Sequence, residues 1–234
     1  MYTQNGVRMR RIQSNGIPKG MPTGKFPVQP GTPAYSYYHA ATGDSQTEPT
    51  ADLIPIKPYD LDVSIPVNPI YGGLGQAMQS LVLGVITATG GIPIHANFAG
   101  TTVKGRQVWF DPAQGLPLDQ CWGHPYNDEY HHHAYSWRCF PDAGKATAHS
   151  PLVGYAMDGF GLYGPRGVNG AHVTNNDLDN CHGHTHQIVW DGVVTSMYHY
   201  HLNNEYPYGP GCYQGTTQAY FDAFIPNQPP FHNH

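Results

Sequence analysis

The chain repeats itself, and the repeat limits what it can fold into more than any other feature. Leu83-Gly84-Val85 followed by Gly90-Gly91-Ile92-Pro93 is echoed by Val153-Gly154-Tyr155 followed by Gly159-Phe160-Gly161-Leu162. Cys121-Trp122-Gly123-His124 is echoed by Cys181-His182-Gly183-His184. Tyr130-His131-His132-His133 is echoed by Tyr198-His199-Tyr200-His201, and Cys139 by Cys212. Four features in one order mark a duplicated unit, spanning residues 80–139 and 150–212. Each unit is too small to bury a full core alone, so the pair is expected to pack as pseudo-symmetric halves of one domain.

Composition sets the fold class. Gly 28 and Pro 22 among 234 residues, with only 12% charged, exclude a coiled coil or helical bundle. Aromatic residues at 12% and hydrophobic residues at 39% exclude wholesale disorder. Leu81–Ile86, Gln107–Phe110 and Tyr198–Leu202 read as strands, and Gly75–Val82 is the one short helical candidate. The expectation is a mostly β protein with two pseudo-repeated units packed as one domain and long loops. Residues 1–70 carry ten prolines and are predicted to form an extended Pro-rich N-terminal arm. Short strands or a wrapping segment would suit them, ordered by docking on their own domain or on a neighbouring copy. Residues 71–234 would then form the β domain.

Fifteen histidines stand against 11 Lys plus Arg. On a strand, residues i and i+2 share a face. His131 with His133, and His199 with His201, would each present two imidazoles side by side. His124 and His184, returned by the Cys-x-Gly-His turn, supply a third to each. Imidazole-only sites suit copper, zinc, nickel or iron, and copper is expected ahead of zinc. His182 and His186 enrich the second unit. His39, His95, His149, His172, His232 and His234 are assigned to surface or packing. Asp177 and Asp179, beside Asn175 and Asn176, offer oxygen ligands for calcium or, more simply, turn and capping groups. Asp158 reads as a turn residue, with support of a metal ligand as its other role. Glu129 and Glu205 read as solvated turn residues, with general-base duty on a metal-bound water as the alternative.

A net charge of -5 with no basic run gives no footprint for nucleic acid. No run of 18 apolar residues occurs, so no membrane span is expected. Residues 1–20 lack the apolar segment of a signal peptide, so an exported form would have lost its leader or be numbered after it. The four cysteines form no Cys-x-x-Cys pair, which favours two disulfides and a secreted or cell-surface protein. Because each unit repeats the same frame, Cys121–Cys139 and Cys181–Cys212 are expected. The opposing connectivity is Cys121–Cys181 with Cys139–Cys212.

At these residues the chain resembles the YHYH-domain family. Tyr198-His199-Tyr200-His201 is intact, preceded by Gly154-Tyr155-Ala156-Met157-Asp158-Gly159-Phe160 and Asp177-Leu178-Asp179-Asn180-Cys181-His182-Gly183-His184-Thr185. Glu205-Tyr206-Pro207-Tyr208 and Cys212 follow it, and Ser14-Asn15-Gly16-Ile17-Pro18 resembles the family's opening. The first unit departs, with His132 where the second tyrosine would stand. The resemblance implies an exported, bacterial-type domain centred on the histidine motif, and supplies no reaction. The expected function is extracellular metal binding, with copper as the metal. The alternatives are a self-associating subunit of an extracellular filament or surface assembly, and a histidine-ligated metalloenzyme.

Overall fold

The computed structural model describes residues 1–27, 55–76, 82–104, 106–116, 118–126, 129–140 and 147–215. The first repeat supplies β5 (Val82–Ile86), β6 (Ile92–His95), β9 (Gly123–Tyr126) and β10 (Glu129–His132). The second supplies β11 (Leu152–Ala156), β12 (Gly161–Tyr163), β13 (Gly183–Trp190) and β14 (Val193–His201). All eight form one sheet in the order β13-β14-β12-β11-β5-β6-β10-β9. Read outward from its centre, the order is the same in both directions. Each half has the antiparallel pair β5/β6 or β11/β12, the parallel pair β6/β10 or β12/β14, and the outer antiparallel pair β9/β10 or β13/β14.

The halves meet where β5 and β11 run antiparallel, with Tyr155 opposite Val85 and Ala156 opposite Gly84. Val85 and Tyr155 occupy corresponding positions in the two repeats, so a pseudo-two-fold axis passes through that pair. The repeated glycine is explained here. A Cβ on Gly84 would overlap the Tyr155 carbonyl oxygen, and one on Gly154 would overlap the Val85 carbonyl oxygen. Both strands are buried on both faces, which accounts for their continuous apolar character.

Within 1–70, the described residues form β1 (Tyr2–Gln4), β2 (Val7–Ser14) and β3 (Leu61–Pro66), paired as a three-stranded antiparallel sheet. Ile12, Leu61, Val63 and Ile65 pack with Leu83, Val85, Tyr155 and Leu162 in one core. Of the two docking surfaces expected for this segment, these residues use their own domain. Residues 28–54 of the expected arm lie outside the described residues. Alternation explains β3: Leu61, Val63 and Ile65 point inward while Asp62 faces solvent. Arg10 secures the sheet from outside, 3.0 Å from the Asp191 carboxylate and 4.4 Å above the Tyr155 ring.

Three further differences and agreements concern the expected elements. The described ends of the helical candidate are strand, since Gly75 and Gln76 close β4 (Tyr71–Gln76) and Val82 opens β5; its middle lies outside the described residues. The run Gln107–Phe110 lies in β8 (Arg106–Phe110), which pairs with β7 (Ala99–Val103) apart from the main sheet. β15 (Tyr213–Gly215) pairs with β4. Helix among the described residues is confined to single turns such as Pro112–Gly115, capped by the Asp111 side chain on the Ala113 N–H.

The central glycines yield a first prediction. Gly154→Ala should cost about 1–3 kcal/mol of stability, the usual penalty for overpacking a buried site. Chemical denaturation measures it, and a midpoint equal to that of the wild-type chain would contradict the close approach of β5 and β11.

Candidate metal centre

Each histidine motif follows from strand alternation. Tyr198 and Tyr200 point into the core with Phe160 and Tyr213, so His199 and His201 project from the opposite face. The neighbouring strand then adds its histidine, with His184 opposite His199 and, in the first half, His124 opposite His131.

A corner built on an aspartate holds these strands in register. Asp179 Oδ1 accepts the N–H groups of Cys181 at 2.9 Å and Gly183 at 3.1 Å, and the Tyr198 hydroxyl at 3.0 Å. Asp119 does the same for Cys121 at 2.8 Å and Gly123 at 3.2 Å, and accepts the Tyr130 hydroxyl at 2.8 Å. The glycine is needed because a Cβ on Gly123 or Gly183 would overlap that tyrosine hydroxyl. The intervening residue, Trp122 or His182, turns the chain through positive φ, 54° and 71°. Disulfides Cys121–Cys139 and Cys181–Cys212 then tie each corner down, and no described cysteine is free. The expected connectivity is the one formed.

In each half one imidazole nitrogen faces two others. His124 Nε2 lies 3.1 Å and His131 Nε2 3.0 Å from His133 Nε2. His184 Nε2 lies 3.1 Å and His199 Nε2 3.2 Å from His201 Nε2. The far nitrogens of five of these six rings face backbone carbonyls. His131 Nδ1 is 3.3 Å from the Glu129 oxygen and His133 Nδ1 3.3 Å from that of Ala96. In the second half His184, His199 and His201 face the carbonyls of Asp177, Met197 and Gly164 at 3.1, 3.0 and 2.6 Å.

A carbonyl oxygen only accepts, so each of these Nδ1 atoms carries the proton. The Nε2 atoms of the neutral rings are therefore bare lone pairs facing one another. A cation satisfies that arrangement, and metal–nitrogen bonds of about 2.0–2.1 Å place neighbouring ligand nitrogens about 2.9–3.4 Å apart. The observed spacings fit.

Burial keeps five of these rings neutral. Desolvation, with the neighbouring imidazoles adding to it, lowers His131, His133 and His201 well below the ordinary histidine range and His199 to about 3. His184 is lowered for the same first cause.

Other expected residues are placed differently. His132 and His182 are not in the triads. His132 Nδ1 binds the Cys121 carbonyl at 2.9 Å, while His182 bridges the His201 carbonyl and the Asn175 side-chain oxygen. Asp177 and Asp179 take the turn and capping role that their setting in the sequence favours over calcium. Asp177 accepts from the N–H and hydroxyl of Thr174, and Asp179 from its corner and from Gln214 at 2.8 Å. Hydrogen-bond donors thus take up these oxygens. Glu205 accepts the Asn175 N–H at 2.7 Å, a turn role. Glu129 lies 2.6 Å from His95 Nε2, and His95 stacks on His131 at 3.7 Å, so this pair buttresses the His131 ring.

His95, expected at the surface or in packing, packs against His131. His149 was assigned likewise, yet its nitrogen lies within 4.8 Å of those of His186, His199 and His201. His149 belongs to a loop before β11, where no periodicity signals its direction. Asp119 and the corner role of Asp179 were also missed, although Asp-x-Cys recurs in both repeats. His39, His232 and His234 lie outside the described residues.

A family model described as YHYH protein matches residues 62–175. The chain contains a YHYH domain over these residues. The matched stretch contains the first repeat's Tyr130-His131-His132-His133 and ends before the second repeat's Tyr198-His199-Tyr200-His201. No curated protein and no solved structure matches the chain.

Asp158 underpins the second YHYH motif, accepting the Tyr200 hydroxyl at 2.6 Å and the Gly215 N–H at 3.0 Å. Burial raises its carboxyl to about 6. An acid raised on folding contributes stability that is full below its unfolded value, about 4, and is lost as pH rises through about 6. The stability advantage of the wild-type chain over Asp158→Asn should therefore shrink by about 3 kcal/mol between pH 4 and pH 7, two units at about 1.4 kcal/mol each. Denaturation across that range measures it, and a pH-independent difference would contradict the assignment.

Proposed function

We propose that this YHYH-domain protein binds two transition-metal ions, one in each repeat, through His124, His131 and His133 and through His184, His199 and His201. The observation that carries the reading is the orientation of the imidazoles. Five of these six rings direct Nδ1 to a carbonyl and leave Nε2 bare and facing its partners. Neutral nitrogen donors favour borderline ions over calcium or magnesium, which take oxygen. Both disulfides remove thiolate from competition. For such nitrogen sites divalent copper binds most strongly among the first-row ions, so copper is proposed ahead of zinc.

An extracellular location accompanies this reading. Two disulfides support it, and among the described residues no helix is long and apolar enough to cross a membrane. Self-association is a second proposal. β13 is an outer strand of the sheet, and Val189, Val193 and Val194 are 60%, 65% and 65% exposed on its hairpin with β14. Light scattering tests it: mass should rise with concentration, and a monodisperse monomer at high concentration would end it.

Elemental analysis tests the metal reading. The wild-type chain should carry two ions. His199→Ala with His201→Ala should remove the second repeat's ion, and His131→Ala with His133→Ala the first. Full metal content in both double variants would leave the histidines a packing role alone.

A further inference from the structure

The second repeat gathers more imidazoles than its triad. His149 Nδ1 faces the Ser150 carbonyl at 2.7 Å and His186 Nδ1 the Gln187 carbonyl at 2.9 Å, so each is the protonated nitrogen. Their Nε2 atoms are buried and have no hydrogen-bond partner. Unsatisfied buried acceptors carry a desolvation cost, and a shared ion would relieve it. The ligand nitrogens of His149, His186, His199 and His201 already lie within 4.8 Å of one another.

The ring positions define a shape. His199 stands 5.4, 5.0, 4.5 and 5.0 Å from His149, His184, His186 and His201, centroid to centroid. Around the circuit His149–His186–His184–His201–His149 the spacings are 5.0, 4.6, 4.9 and 5.2 Å. The diagonal His186–His201 is 6.4 Å. An ion about 2.0–2.1 Å from Nε2 sits about 3.2 Å from the ring centre, so rings at right angles stand about 4.5 Å apart and opposed rings about 6.4 Å. His184 stands outside the group of four whose ligand nitrogens lie within 4.8 Å of one another, and the ring distances place it beside that group.

We propose that the second repeat holds its ion through four imidazoles, His149, His186, His199 and His201, with His184 beside the His201 ring. This rests on the two-ion reading and deepens it. His199 and His201 are fully buried, whereas His149 and His186 are part-exposed, so solvent or a small anion reaches the ion from their side. A tetragonal nitrogen field suits divalent copper, whereas zinc prefers a tetrahedron. The first repeat differs, because Tyr126 stands where the second has His186, each three residues after its corner glycine. The two ions are therefore inequivalent.

The experiment loads the full chain with two equivalents of cupric ion and records copper affinity, paramagnetic resonance spectra and azide titrations. It compares wild type with His149→Ala, His186→Tyr and the double variant; His186→Tyr installs the residue used by the first repeat. Circular dichroism and disulfide content confirm that the variants fold. The expected result is an axial signal with four equatorial nitrogens and an azide-induced charge-transfer band. In the double variant one ion should bind at least tenfold more weakly, with fewer equatorial nitrogens, while the other is unchanged. Unchanged spectra and affinities in the folded double variant would overturn the four-imidazole site and leave two triads standing. A wild-type chain that takes up no copper or zinc at all would instead overturn the two-ion reading beneath it.

Discussion

Everything at the histidine sites depends on one carboxylate in each repeat. Asp119 and Asp179 each gather a cysteine N–H, a glycine N–H and a tyrosine hydroxyl. That single group couples motifs that lie apart in the sequence. The tyrosine of Tyr-His-x-His reaches the carboxylate only because Cys-x-Gly-His has glycine where a Cβ would obstruct it. The contact sets the register of the two strands and brings the histidine after the glycine beside the histidine after the tyrosine. The disulfide beside the aspartate then holds the corner closed.

The second half of the design is the disposal of protons. Backbone carbonyls at strand ends and loops take the Nδ1 hydrogens, so the fold, rather than any neighbouring acid, selects the tautomer. Burial opposes protonation of the inner nitrogens. Lone pairs directed at one another from buried rings are costly unless something positive lies between them. The repeats then diverge around this common scheme. Tyr200 is tied to Asp158, while His132 in the corresponding place turns to the Cys121 carbonyl and packs edge-on against Phe140 at 4.8 Å. His95 and Glu129 flank the first site, and His149 and His186 the second.

Much of this was legible in the sequence because local periodicity and repetition carry it. The duplicated order of motifs anticipates a sheet whose strand order reads alike from both ends. Tyr-His-Tyr-His alternation anticipates tyrosines in the core and histidines on the other face, and equal Cys frames anticipate the two disulfides. What was not legible depends on contacts across long separations. Asp62 and Val63 alternate as a strand, yet the prolines around them pointed to an extended arm, and only the partner strand β2 shows where that strand packs. His149 reaches the second cluster from a loop, and nothing in its neighbours gives its direction. The turn role of Asp177 and Asp179 was legible locally, but the bond from Gln214 to Asp179, 35 residues away, was not.

The most direct test of the central claim is an anomalous-scattering map from crystals of the full chain grown with copper. Two peaks are expected, each bonded to Nε2 of a histidine triad and related to the other by the pseudo-two-fold axis through Val85 and Tyr155. Crystals in which both triads stay empty, or in which copper binds only at other residues, would contradict it.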